Sequence, residues 1–173
     1  ADKVLNIGAD WVNDVSGGRY DPEIFNVIAD KGSPYVLTHS RGNSKNMDSL
    51  ATYTNVVKEV KNELSNQIEL ALSKGIKKEQ IIIDPGIGFA KNLDQNLTLL
   101  RNLEEFVFMN FPVLIGPSRK RFIGSVINEP DPNKRIFGTA AVASRSVIAG
   151  VDILRVHDIK QISQVIMMTK SII

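Results

Sequence analysis

The stretch IIIDPGIGF, residues 81–89, decides the fold of this chain. Its three isoleucines form a short apolar run, rich in β-branched residues, that predicts a strand. Asp84, Pro85 and Gly86 end that strand in a turn, and glycine lets the backbone approach a ligand closely. A polar loop and then a longer segment with helical periodicity follow. This strand–loop–helix unit recurs along the sequence.

Five apolar runs of this kind are present, and we predict a strand at each: 10–15, 34–38, 80–84, 112–116 and 152–156. Helices are predicted between and after them, at about 21–32, 49–75, 93–103, 134–149 and 158–172. The second helix has apolar residues spaced by three and four, which indicates one apolar face; these are Leu50, Tyr53, Val56, Val57, Val60, Leu64, Ile68 and Leu72. Gly75 is predicted to cap its carboxyl end.

Alternating strands and helices indicate a parallel sheet with helical crossovers. Each unit takes roughly 35 residues, which is near the repeat of a (β/α)₈ TIM barrel. Because only five units are present, we predict a single partial barrel domain over residues 1–173. Residues 1–9 are typical of a helix end with Gly8 near its stop, and residues 158–173 complete a last unit, so we expect the absent strands to be N-terminal. An open doubly wound sheet is the alternative, but no glycine-rich fingerprint follows the first predicted strand.

Composition narrows the function classes. The net charge of +2 offers no bulk basic field for nucleic acid. Zero cysteines exclude disulfides, thiolate metal sites and cysteine nucleophiles, and suit a reducing compartment. No apolar run approaches the ~20 residues that cross a bilayer, so no membrane partner is expected.

Polar residues follow each predicted strand, where active sites of parallel α/β folds collect. Asp84 places a carboxylate that can accept two hydrogen bonds from an amidine-like edge such as that of a pterin, although Asp-Pro-Gly is also common turn chemistry. Asn13 ends the first strand with an amide that can donate and accept. His39 and Arg41 are interpreted as rim or lid residues in a mobile loop, and no metal-ligand pattern accompanies His39.

The last two strand ends favour an anion. Ser118 is followed by three cations, Arg119, Lys120 and Arg121, at the start of a short helical stretch, which suits phosphate or pyrophosphate. Arg155 and His157 alternate with Val156 and are expected to point to one side. They would form an anion clamp, with His157 able to donate to a leaving group.

Together the motifs NDVSGG, HSRG, IDPGIGFAK, GPSRKRFIG and RVHD resemble the dihydropteroate synthases, most closely the eukaryotic and fungal multifunctional folate-synthesis proteins. The resemblance implies a (β/α)₈ barrel. It also implies a transferase that joins p-aminobenzoate to 6-hydroxymethyl-7,8-dihydropterin pyrophosphate, giving 7,8-dihydropteroate and pyrophosphate. Asn13, Asp84 and Lys120 match pterin-binding residues, and Arg155 and His157 match pyrophosphate-binding ones. Phe89, Ser118 and Arg119 match the approach to the aminobenzoate and sulfonamide site. Lys120, Arg155 and His157 are the expected catalytic residues.

The family's early DSF, GGESTRPG and SVDT motifs are absent here. The resemblance therefore implies Mg²⁺ bound through the substrate pyrophosphate, with its protein ligand outside this chain, and a complementary N-terminal barrel segment as a partner. It further implies a homodimer through the last two helices, and an intracellular location, cytoplasmic or mitochondrial. Two alternatives remain: a pterin-binding module of a corrinoid-type methyltransferase, and an inactive half-barrel that aggregates when isolated.

Overall fold

The computed structural model describes all residues 1–173 and has five parallel strands in chain order. They are β1 (Val12–Asp14), β2 (Tyr35–Thr38), β3 (Ile81–Asp84), β4 (Leu114–Ile115) and β5 (Ile153–Leu154). β1, β2 and β3 form one ladder, β4 and β5 form another, and a parallel bridge between Ile83 and Val113 joins the two. The carboxyl ends of all five strands therefore meet at one rim.

Eight α-helices accompany the strands: α1 (Asp2–Asn6), α2 (Ile24–Lys31), α3 (Val56–Ser73), α4 (Leu93–Arg101), α5 (Glu104–Val107), α6 (Arg121–Ile127), α7 (Ile136–Ile148) and α8 (Ile159–Ile172). Single 3₁₀ turns occur at Met47–Leu50, Lys78–Gln80 and Pro132–Lys134. None of the helices combines the length and hydropathy needed to span a membrane.

The two faces of the sheet bury different residues, as the period-two alternation of a strand requires. On the outer face Tyr35, Leu37 and Ile83 pack into the main core beneath the helices. On the inner face Val36, Ile82 and Leu114 form a second small cluster, with Ile153 packed against it. Alternation places further inward positions nearer the rim, and these are Asn13, Thr38, Asp84, Gly116 and Arg155.

The predicted elements are confirmed in type, but several are shorter than predicted. Helix α3 begins at Val56, where the Asn55 side chain caps it by accepting a hydrogen bond from the Lys58 backbone. Leu50 therefore lies in a 3₁₀ turn rather than in this helix, and Leu72 is exposed. The buried stripe of α3 is Val56, Val60, Leu64, Ile68 and Ala71. The carboxyl-terminal stop is confirmed, since Gly75 follows the helix with φ of +92°.

The sheet of this chain is open. β1 has only β2 as a neighbour and β5 has only β4, so each outer strand keeps one unpaired edge. The predicted α/β class and parallel topology are confirmed, and the barrel is not closed within these residues. Five strands cannot complete the hydrogen-bonded ring of an eight-stranded barrel.

Candidate active site at the carboxyl ends of the strands

Asp84 lies at the centre of the rim, at 4% exposure. Its Oδ1 accepts a hydrogen bond from the Gly86 backbone N–H at 2.7 Å. The backbone packs closely here, because a Cβ on Gly86 would lie 1.8 Å from the His39 carbonyl oxygen. Burial raises the pKa of Asp84, while the positive charges of Lys120, Lys91 and Arg155 act in the opposite direction. The Asp84 carboxylate can therefore still accept hydrogen bonds from a ligand, and it is surrounded by positive charges.

Lys120 approaches Asp84 from the loop after β4. Its Nζ lies 3.9 Å from the centre of the Phe89 ring, within the range of a cation–π contact. The stem packs on Gly88, where an added Cβ would be 2.9 Å from the Lys120 Cδ. Burial lowers the pKa of Lys120, the Asp84 carboxylate raises it, and Arg155 lowers it further. Lys120, Phe89 and Asp84 therefore form one wall of the site.

Arg155 and His157 follow β5, and both are exposed. His157 is oriented by Ser118, whose Oγ lies 2.9 Å from the His157 Nδ1 and accepts the His157 backbone N–H at 3.2 Å. The Arg155 guanidinium lies beside Gly116, where an added Cβ would be 3.2 Å from its Nη2. Arg155 forms no ion pair with a carboxylate of this chain, so its charge is available to an anion.

The three cations after Ser118 do not form one cluster in this structure, because two of them pair with carboxylates of the chain. Arg119 has a left-handed φ of +61° and pairs with Asp158, its Nη2 lying 2.8 Å from the Asp158 Oδ1. Arg121 is 75% exposed and pairs with Asp48. Of the three, only Lys120 is among the positive charges that act on Asp84.

Asn13 is exposed on the inner side of β1 and makes no side-chain hydrogen bond within the chain. Its neighbour Asp14 points the other way and serves the fold. The Asp14 carboxylate accepts hydrogen bonds from the Tyr35 hydroxyl at 2.8 Å and from the Gly18 backbone at 2.6 Å. Burial opposes ionisation, but hydrogen bonds from Ser16 and Tyr35 lower the pKa of Asp14 below its usual value. Asn13 is thus free for a ligand, whereas Asp14 holds the following turn.

The interpretation of His39 and Arg41 as mobile rim residues is wrong. His39 is 1% exposed, and its Nε2 lies 3.0 Å from the Glu63 Oε2. The Arg41 guanidinium also pairs with Glu63 and stacks on the Tyr53 ring, its Cζ lying 3.8 Å from the ring centre. The sequence contained no signal for this, because Glu63 lies on α3, in a segment distant from the loop.

Two further residues lie close to the site. Lys91 is 4% exposed and its Nζ reaches the His39 Nδ1 at 3.0 Å. Thr38 pairs with Asp84 in the β2–β3 register, and its buried Oγ1 has no hydrogen-bond partner. A lysine inside an otherwise apolar glycine-rich motif could have signalled Lys91.

The site therefore combines a buried carboxylate, an unpaired inward hydroxyl, an amide and two cations at the inner side of the strand ends. The carboxylate and amide can bind a heterocycle edge carrying adjacent donors. Lys120, Arg155 and His157 can hold an anion. No three His, Cys, Asp or Glu side chains of the chain converge as a metal site.

Comparisons with known proteins match nearly the whole chain to one family. Residues 1–157 match the profile of the pterin binding enzyme family. The dihydropteroate synthase of Synechocystis sp. is 47% identical over 165 residues, which cover 95% of this chain and 57% of that protein. The folic acid synthesis protein fol1 of Pneumocystis carinii is 42% identical over 177 residues, 99% of this chain and 24% of that protein.

Solved structures agree with these relatives. The dihydropteroate synthase of Thermus thermophilus in complex with 6HMPPP has a TM-score of 0.93 and 38% identity, covering 98% of this chain and 67% of that one. The same enzyme in complex with 4-aminobenzoate also gives a TM-score of 0.93. The chain spans about half the length of the dihydropteroate synthases it matches in sequence. Because the family profile extends over most of its residues, the chain belongs to the pterin-binding enzyme family.

Proposed function

We propose that this chain forms the larger part of a dihydropteroate synthase. The observation that carries the proposal is the inner face of the rim, where the buried Asp84 carboxylate lies among Lys120, Lys91 and Arg155. A pterin needs such a carboxylate, and its pyrophosphate needs the cations. The relatives bear the names of this activity, and the fold of the Thermus enzyme accommodates 6HMPPP and 4-aminobenzoate in separate structures.

In the proposed reaction the amine of p-aminobenzoate attacks the methylene of 6-hydroxymethyl-7,8-dihydropterin pyrophosphate. A C–N bond forms, the C–O bond to pyrophosphate breaks with its electron pair, and the amine loses a proton. Asp84 and Asn13 would hold the pterin edge. Lys120, Arg155 and His157 would offset the charge that accumulates on the leaving pyrophosphate, and Phe89 and Ser118 would border the aminobenzoate. The protein contributes mainly orientation and electrostatic stabilisation.

We propose that the complete enzyme is a (β/α)₈ barrel, and that the open edge of β1 is paired by a strand of a preceding segment. The topology supports this, since β1 pairs only with β2 and its other edge has no strand beside it. Mg²⁺ would arrive with the substrate pyrophosphate. The chain has no converging metal ligands, so none of its residues is assigned to Mg²⁺. The absence of cysteine suits an intracellular location, cytoplasmic or mitochondrial, as part of the same proposal.

We also propose a homodimer through the α7–α8 surface, defined as Ile136, Phe137, Ala140, Ile162, Val165 and Met168. These side chains line an apolar groove between the two helices. Phe137 is 84% exposed and Met168 is 62% exposed in the chain alone. A contiguous apolar surface of this kind is typical of a protein interface.

The test is the incorporation of labelled p-aminobenzoate into dihydropteroate by the protein as its gene encodes it. Lys120→Ala should lower the turnover number by about 10²–10³-fold, the cost of losing one preorganised charge partner. Lys58→Ala, at an exposed position of α3, is the matched control and should keep full activity. Pterin binding without product, in the wild-type protein, would overturn the synthase and favour a methyl-transfer module.

A further inference from the structure

Lys91 follows the Gly86–Phe89 turn and is buried under it. Its Nζ donates to the Gly86 carbonyl at 3.0 Å and to the Phe89 carbonyl at 2.9 Å, so it holds both ends of the turn. The third contact is the His39 Nδ1 at 3.0 Å. The turn that Lys91 holds begins beside Asp84 and ends at the ring under Lys120.

The hydrogen-bond directions assign the protonation of this chain of groups. Glu63 is a carboxylate that can only accept, so the His39 Nε2 carries the hydrogen between them. The His39 Nδ1 is then an acceptor, and its partner Lys91 must donate. Because two carbonyl oxygens also accept from it, Lys91 donates three hydrogen bonds. Only the protonated ammonium has three N–H donors, so Lys91 is charged in this arrangement.

The ammonium lies close enough to Asp84 to act on its ionisation. Lys91 and Lys120 both lower the pKa of Asp84 against the opposing effect of burial. Burial lowers the pKa of Lys91 itself to about 7, and the charges that face it are Asp84, Glu63, Arg41 and Arg19. Lys91 touches none of the inward ligand-facing positions directly, and it acts through Asp84 and the turn.

We propose that Lys91 is a positioning residue of the pterin site, whose ammonium holds the Gly86–Phe89 turn and places a positive charge beside the Asp84 carboxylate. This rests on the proposed function, because it assumes that Asp84 binds a pterin. An ionised Asp84 accepts two hydrogen bonds from the pterin edge, whereas a protonated Asp84 accepts one at most. The His39–Glu63 pair orients the lysine through the contact between the His39 Nδ1 and the Lys91 Nζ.

The experiment measures the affinity of the gene-encoded protein for 6-hydroxymethylpterin by calorimetry from pH 5 to pH 7, below the pKa of about 7 at which Lys91 loses its charge. Affinity should rise with pH as Asp84 ionises. In Lys91→Gln, which keeps two N–H donors but loses the charge, the midpoint of that rise should move upward by about one pH unit. Lys91→Arg keeps the charge and should restore the wild-type midpoint. Lys58→Gln, an equal loss of charge on the surface, should not move it.

Thermal melting of each variant shows whether a change in affinity comes from the lost charge or from a less stable fold. A Lys91→Gln protein that loses affinity equally at every pH, with the midpoint unmoved, would overturn the proposal and leave Lys91 a structural residue. If Lys91→Arg does not fold, the comparison of Lys91→Gln with Lys58→Gln still decides. A wild-type protein that binds no pterin at any pH would overturn the proposed function, and this inference with it. Wild-type binding with an unshifted Lys91→Gln midpoint would overturn this inference alone.

Discussion

His39 lies between Lys91 and Glu63, and burial together with the Lys91 charge lowers its pKa to about 4. The His39 ring is therefore neutral in the folded protein at neutral pH. A histidine with a lowered pKa stabilises the fold fully above the unfolded value of about 6.5, and this stabilisation is lost as pH falls through 4. Glu63 also makes stability depend on pH. Burial raises the pKa of Glu63, but hydrogen bonds from His39 and Arg41 outweigh burial and lower it to about 2. Its contribution is lost between about pH 4.5 and pH 2.

We predict that the free energy of unfolding decreases by on the order of 2 kcal/mol between pH 6.5 and pH 4, and that His39 causes most of this decrease. Urea unfolding at a series of pH values measures it. In His39→Gln the slope over this range should flatten. His157→Gln, at the exposed second histidine, should retain the wild-type slope. An unchanged slope in His39→Gln would contradict this assignment.

At the scale of the elements, the position of helix α6 depends on Arg135, a residue outside this helix. Arg135 is 8% exposed and donates to four backbone carbonyls, those of Glu129, Pro130, Arg119 and Lys120. The last two lie at the start of α6, so one guanidinium ties the loop before this helix to the loop after it. The short α6 is thus held at both ends by Arg135, and Lys120 is held in place with it.

Arg135→Ala should lower the free energy of unfolding by about 2–4 kcal/mol, because four part-buried carbonyls lose a charged donor. Lys134→Ala removes a neighbouring exposed cation and should change it by less than about 0.5 kcal/mol. Chemical denaturation of both variants makes the comparison. Equal stabilities would show that water replaces the guanidinium at no cost, contrary to the geometry.

The sequence predicted the elements well where the signal was local. The isoleucine run of β3 and the polar residues after each strand placed Asp84, Lys120, Arg155 and His157 at one rim, and the structure brings these strand ends together. It could not predict which cations face the site. Arg119 is paired by Asp158, thirty-nine residues away, which is a contact between distant segments. The burial of His39 similarly depends on Glu63 of α3, a pairing between distant segments that no short motif encodes.

At the scale of the whole molecule, the α7–α8 surface should hold two copies together. Phe137→Glu introduces a charge at its most exposed aromatic side chain and should convert a dimer to a monomer by light scattering. Phe108→Glu is the control, since Phe108 is 73% exposed at the carboxyl end of α5 and does not line the groove between α7 and α8. A wild-type monomer, or a Phe137→Glu dimer, would overturn the proposed association.

The open edge of β1 has one more consequence, since the only tryptophan of the chain adjoins it. Trp11 immediately precedes β1 and is 49% exposed. Indole fluorescence shifts to shorter wavelength when water is excluded, so its emission should report directly on whatever covers this edge. If the proposed preceding segment pairs with this edge, adding it to the chain should shift the emission to the blue, and an unrelated peptide should leave it unchanged. The fold thus includes an optical probe, free of background from other tryptophans, at the place where its sheet is incomplete.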